Sequence, residues 1–325
     1  MYRVGVVGGE THIGEVIGLR GRLVDIVGVS VKPSQVAWAN TEFATEVFTD
    51  HRLMFDRVCP DIVAIANEND AKAPIVLEAL ERGMHVIVDK PMALTLEDVE
   101  AIDATRRRTG SRILMLLTLR GNPWYRKVKE LVDEGRIGAP MQVYGRMAVE
   151  LKRDQRPEWF LDKRRAGGPI LDLSIHHIDQ VEWVTGLKLT EVSAYESNIT
   201  DPEREELIDS GAMLLRLSNG GTAILEHNRV MPPGSGSDYR LSVVGSQGQI
   251  NLRPNRELSV LIEDGTQELG ADDLGERVSV VEDWLTGLGT DAPVLVPDSS
   301  SIRANKVACI AKAAAAAGIG LAIPT

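Results

Sequence analysis

Short apolar runs alternate with amphipathic segments along the first third of the chain. Ala73, Val76, Leu77 and Leu80 recur at helical spacing, for example, between two of these runs. Because buried, Val/Ile-rich strands separated by helices form parallel sheets with helices on both faces, this part predicts a doubly wound parallel sheet. The predicted strands are 3–7, 24–30, 46–48, 62–66, 85–88 and 112–117.

Beyond Pro140 the pattern changes to strands in succession, joined by turn signals such as Asn219-Gly220. Strands that follow one another without intervening helices predict an α+β domain with a large, mostly antiparallel open sheet. The predicted strands are 141–149, 188–196, 212–217, 221–230, 240–244, 249–252 and 258–262, and a closing helix is predicted at about 299–317.

The length of 325 residues exceeds what one hydrophobic core usually holds. We therefore predict two domains, 1–119 and 120–325. The net charge of −11 argues against a nucleic-acid partner. The longest apolar tract, 313–323, is too short to cross a bilayer, and the N-terminal run does not have the pattern of a signal peptide. The two cysteines, Cys59 and Cys309, indicate no disulfide framework or paired zinc spacing. We expect a cytoplasmic protein without a metal site or membrane partner.

A narrow polar stripe runs through one of the most apolar segments of the chain. Asp172, His176 and Asp179 are spaced i, i+4 and i+7, so on an α-helix they share one face. A helix that is apolar on most of its remaining surface is normally buried. Burying a carboxylate and an imidazole is costly unless they are paired or face a polar cleft. The stripe is thus either a satisfied core pair or part of a functional site.

The first strand is followed by a glycine turn, Gly8-Gly9-Glu10-Thr11-His12-Ile13-Gly14. Glycines at this position allow a backbone to approach a dinucleotide pyrophosphate. The turn is one residue longer than usual, and Glu10-Thr11 replace the middle glycine. The second strand ends in Val29-Ser30-Val31-Lys32 instead of the acidic residue that an NAD site usually carries there. Ser30 and Lys32 suit a 2′-phosphate, which tilts the prediction slightly towards NADP over NAD.

At the end of the fifth predicted strand stands Asp89-Lys90-Pro91. Ligands of open parallel sheets bind outside the carboxyl ends of the strands. An ammonium group at that edge stabilises negative charge that develops on a substrate oxygen during hydride transfer.

Together these motifs resemble the Gfo/Idh/MocA family of NAD(P)-dependent sugar and polyol oxidoreductases. The resemblance also covers the Asn122-Pro123 helix and the Gly167-Gly168 turn before Asp172. It implies a Rossmann-type dinucleotide-binding domain over 1–119 and a substrate-binding and oligomerisation domain over 120–325. It also implies a homodimer or homotetramer, and Lys90, Asp172 and His176 as the catalytic residues.

The chain departs from the family pattern after the fourth strand. The usual Thr-Pro-Asn-x-x-His is Asn67-Glu68-Asn69-Asp70-Ala71-Lys72, so the customary Pro is Glu68 and the customary His is Lys72. This loop normally borders the nicotinamide half of the cofactor. The predicted cofactor contacts are Gly8, Gly9, Thr11, His12, Ile13, Ser30, Lys32, Asn67, Asn69, Asp89 and Lys90.

The leading hypothesis is reversible oxidation of a secondary alcohol on a sugar, inositol or related polyol. His176 accepts the hydroxyl proton, Asp172 orients and stabilises the imidazole, and Lys90 holds the reacting oxygen. Predicted substrate contacts are Asp172, His176, Arg120 and Lys163, whereas Asp179 is expected to brace its helix. Two alternatives stay open: cofactor-assisted glycoside hydrolysis or elimination, and a non-catalytic sugar- or nucleotide-binding protein on a degenerate scaffold.

Overall fold

The computed structural model describes residues 1–9, 12–290 and 292–325. They form two compact units, one of Met1–Leu117 with Ser279–Asn305 and one of Thr118–Val278 with Lys306–Thr325. The predicted division into functional domains at 119/120 stays a proposal. The sequence pattern did not indicate that residues 279–305 return to the first unit.

The first unit is built on a six-stranded parallel sheet. Its strands are β1 (Tyr2–Val7), β2 (Val24–Ser30), β3 (Val47–Phe48), β4 (Ile62–Ile65), β5 (His85–Val88) and β6 (Ile113–Met115). Their order in space is β3-β2-β1-β4-β5-β6, so β2 and β3 extend the sheet on one side of β1, and β4 to β6 extend it on the other. The predicted doubly wound parallel sheet is therefore confirmed.

Helices that connect these strands are α1 (Gly14–Ile17), α2 (Val36–Phe43), α3 (His51–Val58), α4 (Asn69–Glu81) and α5 (Leu96–Thr109). The side chain of Thr95 caps the start of α5, because its Oγ1 accepts a hydrogen bond from the Asp98 N–H at 3.1 Å. The strands β4 and β6 are fully buried and β5 nearly so, as apolar runs inside a parallel sheet require.

The second unit contains a nine-stranded sheet with the order β14-β13-β12-β11-β7-β10-β9-β8-β15. Its strands are β7 (Pro140–Ala148), β8 (Leu189–Ser197), β9 (Ser210–Leu217), β10 (Thr222–Asn228), β11 (Asp238–Gly245), β12 (Gly248–Arg253), β13 (Glu257–Ile262), β14 (Gly265–Leu269) and β15 (Leu321–Ala322). Only the β7–β10 pair among these strand pairs of the described chain is parallel. The mostly antiparallel sheet is confirmed, and β14 and β15 were not predicted.

Helical segments of the second unit are α6 (Pro123–Asp133), α7 (Lys163–Ala166), a π-helical segment (Ile170–Ser174) and α8 (Ile175–Thr185). Two helices follow the sheet in sequence: α9 (Val280–Gly287) in the first unit and α10 (Asp298–Ala317), whose residues are divided between the units. The predicted closing helix at about 299–317 matches α10, whereas α9 was not predicted. No helix among the described residues is long and apolar enough to cross a membrane.

Candidate functional site

The predicted glycine turn follows β1 at the carboxyl edge of the parallel sheet. Gly8 has a φ of +82°, and a Cβ at this position would lie 2.5 Å from the carbonyl oxygen of Ala66. Only glycine fits such a conformation and such an approach without strain. A Cβ on Gly9 would lie 2.3 Å from the ring of Trp38, so this glycine makes room for an indole. Glu10 and the predicted cofactor contact Thr11 lie outside the described residues.

His12 and Asp89 connect the glycine turn to the end of β5. His12 Nδ1 lies 2.6 Å from Asp89 Oδ1, and the Asp89 side chain is almost fully buried. Burial opposes ionisation of this carboxyl, but the charge of Lys72 and the hydrogen bond with His12 outweigh it, and the pKa of Asp89 is lowered. Asp89 is therefore a buried carboxylate directly before Lys90.

Lys72, which replaces the histidine of the family pattern, is buried on α4. Its Nζ donates hydrogen bonds to Asn69 Oδ1 at 2.9 Å, to the Asp89 carbonyl at 3.1 Å and to the Lys90 carbonyl at 3.4 Å. Lys72 thus holds the backbone of Lys90 in place through hydrogen bonds. Farther along, Asn305 Oδ1 accepts the Met92 N–H at 2.8 Å, which holds the segment after Lys90 from α10.

The loop after β4 contributes further polar groups to the same edge. Asn67 is partly buried, and its Oδ1 has no hydrogen-bond partner among residues 1–9, 12–290 and 292–325. Glu68 is buried and forms an ion pair with Lys32, which follows β2. Ser30 is buried, and its carbonyl accepts the Gly8 N–H at 2.9 Å. The lysine that favoured a 2′-phosphate therefore already has a carboxylate partner.

In the second unit, the segment that carries the polar stripe was predicted as one α-helix, but it is not a continuous one. Residues Ile170–Ser174 are π-helical, and α8 begins only at Ile175. Periodicity in the sequence did not reveal this change, because i, i+4 spacing places residues about one turn apart in either helix. Short π-helical segments within helices often occur at functional sites. Asp172 lies in the π-helical segment and His176 in the first turn of α8, and both are buried.

The turn before this segment is left-handed at Gly168 and is contacted by two charged side chains. Gly168 has a φ of +77°, and a Cβ there would lie 2.9 Å from Glu196 Oε1. Lys312 on α10 donates a hydrogen bond to the Gly167 carbonyl. Glu196 accepts the Ile170 N–H at 3.4 Å. These contacts fix where the segment that carries Asp172 begins.

Asp172 forms a buried ion pair with Arg229, a residue that the sequence analysis missed. Arg229 follows β10, and its guanidinium lies 4.7 Å from the centre of the Phe160 ring. The only available signal was its position beside Glu226, His227 and Asn228, polar residues in an otherwise apolar strand. Pairing between residues 57 positions apart is set by tertiary structure.

Asp179 braces its helix, as the sequence analysis expected. Its carboxylate receives two hydrogen bonds from Arg120, from Nε at 2.9 Å and from Nη2 at 2.6 Å. Burial raises the pKa of Asp179, and the guanidinium of Arg120 offsets this only in part. Arg120 is itself buried, and this bidentate pair holds its guanidinium in place; its role as a substrate contact stays a prediction.

Lys163 also has partners within the second unit. Its Nζ donates to the Glu205 carbonyl at 2.9 Å, and its backbone N–H donates to the Glu206 carbonyl at 2.7 Å.

Next to His176 in the chain, His177 contacts a second histidine, with its Nδ1 2.9 Å from Nε2 of His227. Among the described residues, no group of three or more His, Cys, Asp or Glu side chains is placed to hold a metal ion.

Two family profiles match the chain. The profile of the "Oxidoreductase family, NAD-binding Rossmann fold" matches residues 2–117. The profile of the "GFO/IDH/MocA C-terminal domain" matches residues 125–251, and the two ranges together cover about three quarters of the 325 residues.

The chain is also similar to individual oxidoreductases, in sequence and in structure. The scyllo-inositol 2-dehydrogenase (NAD(+)) of Bacillus subtilis (strain 168) is 28% identical over 206 residues, 62% of this chain and 58% of that protein. The myo-inositol 2-dehydrogenase of Thermotoga maritima is 26% identical over 213 residues, 65% of this chain and 62% of that protein. The matches thus span less than two thirds of these relatives. A Thermotoga maritima protein classed as an oxidoreductase has a TM-score of 0.91 at 26% identity, covering 99% of this chain and 100% of that one.

Proposed function

Because the chain belongs to the Gfo/Idh/MocA family of oxidoreductases with an NAD-binding Rossmann domain, we propose that it is a nicotinamide-dependent dehydrogenase. The proposed substrate carries a secondary alcohol or the corresponding ketone and is a sugar, an inositol or a related polyol. The observation that carries this proposal is the position of Lys90. It is a buried lysine at the carboxyl end of β5, in a sheet whose strand order is that of dinucleotide-binding domains.

The carboxyl edge of this sheet fits a dinucleotide. Gly8 keeps the turn after β1 free of a side chain, and the buried Oδ1 of Asn67 accepts no hydrogen bond from the described residues. A ribose hydroxyl or an amide N–H of a cofactor would satisfy that oxygen. The proposed cofactor contacts are the ones predicted from the sequence. Among them, His12 contacts Asp89, and Asn69 accepts a hydrogen bond from Lys72.

When bound, the nicotinamide ring accepts or donates the hydride. In the oxidation direction, His176 takes the proton of the substrate hydroxyl, since an imidazole titrates near neutral pH. The ammonium of Lys90 stabilises the negative charge that develops on the substrate oxygen. Asp172 supports the cationic form of His176, and its ion pair with Arg229 fixes its carboxylate in place.

The names of the inositol dehydrogenases above support a cyclic polyol as substrate. A screen of inositol isomers and monosaccharides with both oxidised cofactors, followed by nicotinamide absorbance, tests this. Turnover with at least one polyol or sugar is expected. Product formation without any net change in absorbance would instead favour the cofactor-assisted glycoside chemistry. Absence of cofactor binding would favour a non-catalytic binding protein.

We also propose a homo-oligomer, a dimer or a tetramer, and a cytoplasmic location. One face of the nine-stranded sheet exposes large apolar side chains, among them Leu214 on β9 and Ile224 on β10, and large exposed apolar patches often mark protein interfaces. Cys59 is exposed and unpaired, which suits a reducing compartment. Light scattering of the purified protein tests the oligomer, with a monomeric mass as the contradicting result.

A further inference from the structure

The ion pair between Lys32 and Glu68 crosses the part of the sheet edge where the proposed cofactor would lie. Lys32 follows β2 and Glu68 follows β4, and these two strands flank β1 on either side. Strands two positions apart in a sheet are separated by roughly 9–10 Å, so the two side chains meet over the carboxyl end of β1. Gly8 and Gly9 follow that end.

Among the described residues, the end of β2 carries no acidic group of the kind that usually binds the adenosine ribose. In dinucleotide-binding domains, an Asp or Glu at the end of the second strand accepts hydrogen bonds from the ribose hydroxyls. Here β2 ends at Ser30 and is followed by Val31 and Lys32. Glu68 brings a carboxylate to Lys32 from the end of β4, on the other side of β1, although the loop that carries it was expected to border the nicotinamide half.

Glu68 is suited to this task by its surroundings. Its side chain is 11% exposed, whereas that of Lys32 is 52% exposed, so the carboxylate is the more confined member of the pair. It stands at the N-cap position of the 13-residue helix α4, where the helix dipole favours a negative charge. Lys32 holds the carboxylate in place and neutralises it, so the pair offers no net positive charge to a phosphate.

Resting on the proposed function, we propose that Glu68 accepts the hydroxyl groups of the adenosine ribose and excludes a 2′-phosphate, which makes the protein select NAD(H) over NADP(H). A dianionic phosphate that approached Lys32 would also approach the Glu68 carboxylate, and like charges repel in a partly desolvated site. A ribose hydroxyl donates a hydrogen bond to the same carboxylate. Lys32 is a positioning residue for Glu68 in this arrangement, and the proposed selectivity is opposite to the slight NADP preference predicted from Ser30 and Lys32.

Equilibrium binding of NADH and of NADPH to the purified protein, followed by nucleotide fluorescence, tests this without any turnover. Wild type is expected to bind NADH at least about tenfold more tightly than NADPH, the size of one hydrogen bond to a charged group. Glu68→Gln should weaken NADH and strengthen NADPH, because Lys32 then becomes an uncompensated cation. The ratio of the two dissociation constants should fall by about tenfold or more.

Two further variants show whether the effect belongs to Glu68 itself. Lys32→Gln removes the side chain that positions Glu68 and should weaken NADH binding, but NADPH should stay the weaker ligand, because the Glu68 carboxylate remains and repels a 2′-phosphate. Glu81→Gln removes the same charge at the other end of α4, where Glu81 pairs with Arg108, and should leave both affinities at wild-type values. Thermal unfolding of each variant verifies folding.

The results separate this inference from the proposed function. A wild-type preference for NADPH, or an unchanged NADH/NADPH ratio in folded Glu68→Gln, overturns the role of Glu68 while leaving the dehydrogenase proposal intact. Failure of wild type to bind either nucleotide overturns the dehydrogenase proposal and the role of Glu68 with it.

Discussion

Two buried histidines of the second unit give its stability a pH dependence that follows from the structure. His177 lies on α8 and His227 on β10, and their rings contact each other. Burial lowers the pKa of His177 to about 4. Burial, together with the neighbouring His177 and His176, lowers the pKa of His227 well below its ordinary value. Both rings are therefore neutral in the folded protein at mildly acidic pH, whereas both are protonated in the unfolded chain below about 6.5.

The sign and size of the effect follow from this difference. The unfolded chain binds protons that the folded chain does not bind, so the free energy of unfolding decreases as the pH falls below about 6.5. Each histidine contributes a slope approaching ~1.4 kcal/mol per pH unit. The contribution of His177 is complete near its folded pKa of about 4, which makes its full loss on the order of 3 kcal/mol.

Urea unfolding between about pH 7 and pH 4.5 measures this dependence. The double variant His177→Leu/His227→Leu should lose less stability than wild type over that window, with a difference in slope of up to ~2.7 kcal/mol per pH unit. As a control, Leu225→Ala creates a cavity at a buried neighbour of His177 and should lower stability equally at every pH. Parallel curves for wild type and the double variant would show that the two histidines do not cause the loss of stability at low pH.

Three further predictions concern the proposed site. Lys90→Ala and His176→Ala should each abolish turnover of a substrate that wild type uses, with thermal unfolding showing a folded protein; full activity in either variant would remove that residue from the mechanism. Asp179→Ala leaves the Arg120 guanidinium buried without its carboxylate and should cost about 3–5 kcal/mol in urea unfolding, which Asp179→Ala/Arg120→Met should partly restore. Activity of that double variant would show that Arg120 is not a required substrate contact. Gly8→Ala should cost at least about 1–2 kcal/mol through its left-handed backbone alone and should abolish NADH binding, whereas unchanged binding would contradict a cofactor over this turn.

Much of the fold could be predicted because its strands carry strong apolar patterns. The strands 24–30 and 85–88 have their predicted bounds, and the other four strands of the parallel sheet differ by one or two residues at their ends. The strand β14 escaped prediction because only Leu269 of its five residues is buried, so it shows no alternation. A two-residue strand such as β15 carries no pattern at all. The return of residues 279–305 to the first unit depends on contacts such as Asp298 with Arg112, which are far apart in sequence.

Less of the candidate site could be predicted, because partner choice among buried charges is tertiary. The sequence showed that Glu68 and Lys72 break the family pattern, but not that Lys72 is buried beneath the backbone of Lys90. It placed Asp172 beside His176 without indicating the ion pair to Arg229. It suggested Lys32 as a cation for a phosphate but did not show that Glu68, in the unusual loop after β4, is its ion-pair partner. The predicted catalytic residues themselves stay a proposal.

Transfer of hydride from substrate to cofactor distinguishes a dehydrogenase from every alternative. A polyol or sugar identified in the screen is prepared with deuterium on the reacting carbon and incubated with the protein and oxidised cofactor, and the reduced cofactor is then analysed by mass spectrometry. The account predicts reduced cofactor that carries one deuterium and accumulates with the ketone product, and no such transfer in Lys90→Ala. Product that forms while the cofactor stays oxidised and unlabelled would contradict the assignment as a dehydrogenase.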